Sequence, residues 1–511
     1  MGPLCFCLTV HKLLSSLKSQ LAFGFLDDFT LGGSLSSVSG DIDLIATEGA
    51  RLGLHLNAGK CELWSHQRHS LPISLSRFLV IDTPDLSLLG APIFEGQGLD
   101  HALDSCCQTL SAALDKLSDI GAHDALILLR ASFSAPKVMH LHRCSPCVDH
   151  PGLTVFDNLL RAGISRITNT DLSDMQWLQA SLPVREGGPG MRRVALLATS
   201  AFLASAASTL HIQDQILIGC SGDIIPFVSE FTDRWTTLSN LPALQAPESF
   251  RQAAWDEPLI QVDKACLVNS FSDHASLARL HAASAQHSGD WLHALPISSC
   301  GLRLDDEAVR VAVGFRLGVN LCVPHTCPCG SQVGSRGLHG LSCRLAHGRQ
   351  ARHHALNDLL WRALSSAGVP STKEPVGLLR SDGKRPDGLT LIPWSAGKAV
   401  TWDVTVIHCL ADSYIDSYHS PGDAAELAAE RNIEKYASMP AAYIFQPIAF
   451  ETMGAVNSSG ISFLRAVGRR LSEVNGDRRA TEFLFQRLSV SLQRYNAVAF
   501  RGSFEIFPDP D

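Results

Sequence analysis

The stretch KRPDGLTLIPWSAGKAVTWDVTVI, residues 384–407, decides how the C-terminal half of this chain is read. Two β-rich runs, Leu389–Trp394 and Ala399–Ile407, flank Ser395-Ala396-Gly397, which has turn composition, so a hairpin is expected. Asp387 and Asp403 stand symmetrically about Ser395. In a hairpin near that register they are opposite or diagonal neighbours, and their equal parity puts them on one face if no bulge intervenes. Two carboxylates so placed can hold one Mg2+, which polarises a phosphodiester and lowers the pKa of an attacking water. A lysine beside them would stabilise developing charge. The position two after Asp403 is Thr405, so the lysine must come from elsewhere. Lys435 is the candidate, on the charged helix expected over Ala424–Met439, whereas Lys398 sits at the turn. Glu374 is a further candidate metal contact. Each residue has a plain alternative: the aspartates cap strands or turns, and Lys435 is a solvated helix charge.

Upstream of the hairpin, Arg352–Ala367 reads as an amphipathic helix with Leu356, Leu360, Ala363, Leu364 and Ala367 on its buried face. Before it, Cys327, Cys329, His339 and Cys343 follow the pattern C-x-C-x9-H-x3-C. Three thiolates and one imidazole suit a tetrahedral structural Zn2+, and the intervening glycines let a short chain wrap one ion. Cys322, His325 and, more weakly, His347 are alternative ligands. The separate Cys144-Ser145-Pro146-Cys147 has no second half and is expected to be packed or exposed thiols.

From Arg344 to Arg385 there are eight Lys and Arg against three Asp and Glu, a local basic surface on an acidic chain. Arg349, Arg352, Arg362, Lys373, Arg380, Lys384 and Arg385 are candidates for phosphate contact, the alternative being a solvated face. The whole chain, 511 residues with net charge -8 and pI about 6.2, is no basic nucleic-acid coat. With 45% apolar and 18% charged residues it is not globally disordered. Its length suggests about three domains. Fifteen cysteines without regular spacing point to reduced thiols inside a cell. Met1–Leu8 lacks the basic flank and cleavage site of a signal peptide, and Val194–Leu210 is read as a buried helix rather than a membrane span. No membrane or small-molecule cofactor is expected.

At the N-terminus, Leu21–Phe25 and Phe29–Leu31 flank Asp27-Asp28, which predicts a hairpin with the acids at its tip. Adjacent carboxylates on a tight turn can share Mg2+ ions for phosphoryl transfer, although surface turns with two acids are common. Phe23–Gly33 (FGFLDDFTLGG) resembles the double-Asp motif of reverse transcriptases. Gly53–Glu62 resembles the next palm motif, Leu88–Ile93 the primer-grip hairpin, and Gly2–Leu8 the end of the preceding motif. Their order is that of non-long-terminal-repeat retrotransposons. Residues 327–436 resemble the zinc knuckle and restriction-like endonuclease, of the PD-(D/E)-x-K group, of site-specific members. The matching pieces are the Cys-His cluster, Arg352-His353, Lys384-Arg385-Pro386-Asp387, Asp403-Val404-Thr405 and Lys435-Tyr436.

The resemblance implies an α+β multidomain chain: a partial reverse-transcriptase palm (1–97), a helical thumb and connector (98–320), a zinc knuckle (321–347), a PD-(D/E)xK-like nuclease (348–450) and a helical tail (451–511). It implies metal binding by Asp387 and Asp403, a displaced catalytic Lys435, and DNA contact or site support from Arg352 and His353, with Lys384 and Arg385 in the same motif. A palm of this family needs a third carboxylate on an upstream strand that this chain lacks, so the chain alone is not expected to polymerise. DNA, and template RNA, are the implied partners, and the nucleus the implied location. Two alternatives stand beside a DNA-nicking enzyme: a non-catalytic zinc-dependent nucleic-acid-binding module, and a decayed element without function.

Overall fold

The computed structural model describes residues 2–66, 71–216, 226–378 and 383–504. The chain is an α+β protein dominated by helices, with small sheets. It divides into two compact units, each built from separate stretches.

The first unit comprises Met1–Cys107, Val138–Val155 and Val194–Leu259. Its strands β1 (Leu21–Phe25) and β2 (Asp28–Gly32) form an antiparallel hairpin in which Phe25 faces Asp28. The core of this unit lies around α1 (Val194–Ile216) and α2 (Pro226–Ser239). Phe202, Leu203 and Ala204 are buried there with Phe231, Trp235 and Trp255. The rings of Trp235 and Trp255 meet edge to face at 4.8 Å, the geometry that the aromatic quadrupole favours. Within α1, Val194–Gln213 is long and apolar enough to cross a membrane by length and composition, and 39% of its apolar window is buried.

The second unit comprises Gln108–Lys137, Phe156–Arg193 and Ile260–Asp511. A short antiparallel hairpin, β3 (His325–Thr326) and β4 (Gln332–Val333), leads into α3 (His347–Ser366). A four-stranded sheet follows, formed by β5 (Ser371–Lys373), β6 (Gly388–Thr390), β7 (Ala399–Ile407) and β8 (Tyr443–Glu451) in the spatial order β8-β7-β6-β5. β5 with β6 and β6 with β7 pair antiparallel, while β7 and β8 are parallel from Ala399↔Tyr443 to Ile407↔Glu451. Parallel neighbours need a crossover, and α4 (Asp423–Lys435) supplies it. β7 reads AVTWDVTVI, largely β-branched, and is buried along most of its length, as a central strand covered on both faces should be.

The last two helices, α5 (Ser458–Asn475) and α6 (Ala480–Arg501), are not a separate tail. Ile461, Phe463, Leu464, Val467, Leu484, Phe485, Leu488 and Leu492 share one core with Leu356, Leu360 and Leu364 of α3 and Val400, Trp402 and Val404 of β7. The expected buried face of α3 is the one that packs.

The hairpin at 388–407 forms, but differently from the sequence reading. Its turn is centred between Ala396 (φ 49°) and Gly397 (φ 73°), not on Ser395, and the Lys398 N–H donates to the Ser395 carbonyl at 2.9 Å. Two left-handed residues are what a type I′ two-residue turn requires. Ser395 pairs with Lys398 near the turn, yet Gly388 pairs with Trp402 farther along, so the first arm carries three more residues than the second. The excess is the segment around Pro393, which has no N–H to donate to the ladder, and Leu391 donates instead to the Pro370 carbonyl at 2.8 Å. The first strand is therefore Gly388–Thr390 rather than Leu389–Trp394. The two departures cancel: extending the Gly388↔Trp402 pairing by one residue sets Asp387 opposite Asp403.

That register depends on one close approach. A Cβ on Gly388 would lie 2.0 Å from Trp402 Cζ2, and Trp402 is fully buried with its indole N–H on Asn357 Oδ1 at 2.9 Å. Gly388→Ala is expected to cost about 3 kcal/mol of stability through overpacking, read by chemical denaturation. A variant as stable as wild type would show that the two strands can part there.

Candidate functional site

Two constellations in the second unit carry chemistry. The first sits on the β3–β4 hairpin, where Cys327-Pro328-Cys329-Gly330 forms the tip and Gly330 takes φ 84°. His339, in the one-turn helix His339–Ser342, and Cys343 just after it return to this tip. One donor atom from each of Cys327, Cys329, His339 and Cys343 lies within 4.8 Å of the others. Cys327 Sγ and Cys343 Sγ are 3.8 Å apart, and Cys329 Sγ lies 3.2 Å from His339 Nε2. Thiolates about 2.3 Å from one tetrahedral zinc are separated by roughly 3.8 Å, so the donor set fits such an ion. Hydrogen bonds from Ser331 lower the Cys329 thiol, while burial raises that of Cys327.

The alternative ligands are engaged elsewhere. Cys322 Sγ lies against the Gly334 and Ser335 carbonyls, and His325 Nε2 against Ser503 O at 3.1 Å, with its ring stacked on Phe504. The side chain of His347 and the whole of Arg380 lie outside the described residues. In the first unit, Cys147 is fully buried, and burial pushes its thiol up to about 12. Cys144 is exposed. Among the described residues the Cys-His set is the only group of three or more metal-type side chains converging on one point. Asp27 and Asp28 are two exposed acids at a hairpin tip, and among the described residues no third metal-type side chain converges with them.

The second constellation is built across β6 and β7. Asp387, just before β6, accepts from the Val404 N–H at 2.6 Å through Oδ2, and His353 Nε2 lies 3.1 Å from the same oxygen. Asp403, mid-strand in β7 and 6% exposed, accepts from the Tyr436 hydroxyl at 2.8 Å through Oδ1, with Lys435 Nζ at 3.4 Å. Thr405 Oγ1 lies 3.4 Å from Asp403 Oδ2 and itself accepts from Asn432 Nδ2 at 2.7 Å. The end of α4 thus brings Asn432, Lys435 and Tyr436 onto β7. The lysine reaches the acid from the crossover helix of the βαβ unit.

Charge follows this geometry. Burial, and then the charge of Asp387, lift the Asp403 pKa above the ordinary carboxylate value, while Lys435 and Tyr436 oppose the shift. Burial disfavours imidazolium at His353, but the hydrogen bond and charge of Asp387 outweigh it and raise its pKa. Among the described residues Asp387 Oδ1 has no protein partner, and Asp403 Oδ2 has only the long contact to Thr405. Those two oxygens are the lone pairs open to a cation.

Two expectations need correction. Glu374 does not join the aspartates: its carboxylate is exposed and paired with the Arg385 guanidinium, although its N–H donates to the Asp387 carbonyl at 3.0 Å. Arg352 is 1% exposed and cannot reach DNA; it donates to Asn496 Oδ1 at 2.7 Å and to the Leu341 carbonyl at 3.1 Å, tying α3 to α6. Of the two roles expected for His353, DNA contact or site support, its ring makes the supporting contact, to Asp387. Lys384 and Arg385 are exposed. Sequence reading did not assign roles to Tyr436 and Asn432. Tyr436 was visible only as the residue after Lys435, and nothing local signals that its hydroxyl bridges Asp403 and the Arg385 carbonyl.

A buried carboxylate closes the far end of β8. Glu451 is fully buried, accepts from the Tyr418 hydroxyl at 2.8 Å and from the Ala425 N–H at 3.2 Å, and so holds the loop into α4. Burial raises its pKa to about 7. The folded pKa lies above the unfolded one, so its contribution is fully present at low pH and is lost as pH rises through about 7. Glu451→Gln is expected to gain about 2 to 3 kcal/mol on wild type between pH 5 and pH 8. Parallel unfolding curves at the two pH values check it; an unchanging difference would mean that Glu451 titrates normally.

No protein-family model matches this chain, and no curated protein is significantly similar to it.

Proposed function

We propose that this chain is a retrotransposon-type protein whose C-terminal half is a metal-dependent DNA-nicking endonuclease with a structural zinc knuckle, working in the nucleus. The observation that carries the reading is Asp387 meeting Asp403 across a hairpin while Lys435 and Tyr436 reach Asp403 from the crossover helix. Asp387 and Asp403 would hold a Mg2+ ion, and that ion would supply Lewis-acid polarisation of a phosphodiester. Lys435 sets how far Asp403 stays ionised and places positive charge beside a scissile phosphate. Tyr436 fixes one Asp403 oxygen, and His353 and the Val404 N–H fix one Asp387 oxygen, leaving the other of each carboxylate turned to the ligand. Lys384 and Arg385, exposed beside Asp387, suit backbone phosphates. The N-terminal unit, with two tip acids and no third, is read as a palm remnant without polymerase activity; Mg2+-dependent primer extension by the purified chain would overturn that.

A non-catalytic zinc-dependent nucleic-acid-binding module is the second reading. Two observations favour it: Thr405 stands where a lysine or glutamate would serve, and Glu374 is paired with Arg385. Incubating the purified chain with supercoiled DNA and Mg2+ or Mn2+ separates the two. Relaxed circles support the enzyme. Salt-sensitive binding without nicks in any divalent metal supports the module.

A further inference from the structure

A second basic site lies on the same unit, in a cavity of about 390 Å3 lined by His287, Asp290, His293, Arg465, Arg478, Arg479, Thr481, Glu482, Phe485 and Gln486. Arg465 projects from α5, and Arg478 and Arg479 from the turn that leads into α6. All three are exposed. Arg465 and Arg478 make no ion pair or hydrogen bond among the described residues, and Arg479 has only Asp477, loosely, at 3.7 Å. The two acids in the lining are engaged: Asp290 Oδ2 lies 2.8 Å from His287 Nδ1, and Glu482 accepts from Gln486 Nε2 at 3.1 Å. Three guanidinium groups therefore line one concave wall with two carboxylates, a lining that stays net positive on a chain whose net charge is -8. Such a wall concentrates anions, and guanidinium matches phosphate geometry.

The wall is also held rigidly. His287 takes φ 68°, a left-handed conformation uncommon for a side-chain-bearing residue, and its ring lies flat on Phe485 at 3.8 Å and 6°. A left-handed, stacked histidine beneath three arginines, two of them without an ion pair among the described residues, is the kind of outlier that points to a ligand rather than to packing alone.

We infer that this cavity, lined by Arg465, Arg478 and Arg479 over the His287–Phe485 stack, binds a phosphodiester of a nucleic-acid strand at a subsite separate from the Asp387–Asp403 centre. The inference rests on the reading that this chain handles nucleic acid, and adds a place where the strand is held.

The test uses the full chain with all three arginines changed to Ala, substitutions at exposed positions away from any core. Anisotropy with a labelled oligonucleotide is measured over a salt series. Wild type is expected to bind at least tenfold more tightly, and the variant's log–log salt slope to be shallower by about 2 to 3, one phosphate contact per arginine. Equal affinity and slope, with wild type binding, overturn this site and leave the nuclease reading standing. No oligonucleotide binding by wild type overturns both. Inorganic pyrophosphate forms the second arm: if it binds wild type but not the variant while oligonucleotide affinity is unchanged, the ligand is a small phosphate and the strand assignment falls.

Discussion

Removing zinc from the purified chain, or replacing Cys343 by Ser, is expected to unfold residues 321–347 and lower stability by about 4 kcal/mol or more. The local core explains the size. Its buried residues are Cys327, Val333, Cys343 and Ala346, with Cys329 packed against them, so three of the five are proposed ligands. Full burial of a valine contributes roughly 1.5 to 3 kcal/mol, while ordering each residue costs about 1 to 2 kcal/mol. Without an ion the segment cannot hold its shape. The damage should also spread. Gly337 sits so close to α6 that a Cβ would lie 2.2 Å from Phe500 Cε2, and Gly340 and Gly348 abut the Ala499 backbone. A loosened knuckle therefore uncovers the end of the helix that fills the main core. Metal analysis should give one zinc per chain in wild type and none in Cys343→Ser, and hydrogen exchange should rise first in 321–347 and then in α6. A metal-free chain that melts like untreated wild type would remove the zinc reading.

The legible parts of this molecule were those encoded over short distances. The Cys-His spacing could be read because a knuckle is closed by neighbours. The buried face of α3 could be read because helical periodicity is local. The pairing of Asp387 with Asp403 was reached by a symmetric count about Ser395 that assumed a regular hairpin. The hairpin is irregular; the Pro393 excursion and the displaced turn offset one another, so the register agrees for a reason the count did not contain. What could not be read were side-chain directions set by tertiary packing. Arg352 looks like a phosphate contact in a basic run, yet α6 covers it and supplies Asn496 as its partner from 144 positions away. Glu374 looks like a third ligand by proximity in sequence, yet it turns to Arg385. Tyr436 entered only as part of the Lys435-Tyr436 pair, with no role of its own; its ring is buried while its hydroxyl meets Asp403.

Asp403→Asn is expected to lower DNA nicking at least a thousandfold, about 4 kcal/mol of barrier, while changing DNA affinity less than threefold. The amide keeps the volume and can still accept from Tyr436, so β7 should stay in place. It gives up the negative charge that a divalent cation needs, and Asp387 alone offers one free oxygen. On the proposed reading DNA affinity, by contrast, would rest on exposed basic groups, which a buried substitution does not touch. Lys435→Met makes the argument specific. Loss of the ammonium should cost about a hundredfold, and it should also displace the pH profile. Asp403 is already held above the usual carboxylate range by burial and by Asp387, with Lys435 among the groups that pull it back. Without the lysine, Asp403 keeps its proton to higher pH, so the acid limb of the rate profile should move upward in pH as well as fall in height. A merely structural lysine would lower the whole curve without moving it. Nicking by Asp403→Asn at the wild-type rate would mean that the acids are not the cutting centre, and the chain would then be read as a binding module that keeps a nuclease-like hairpin.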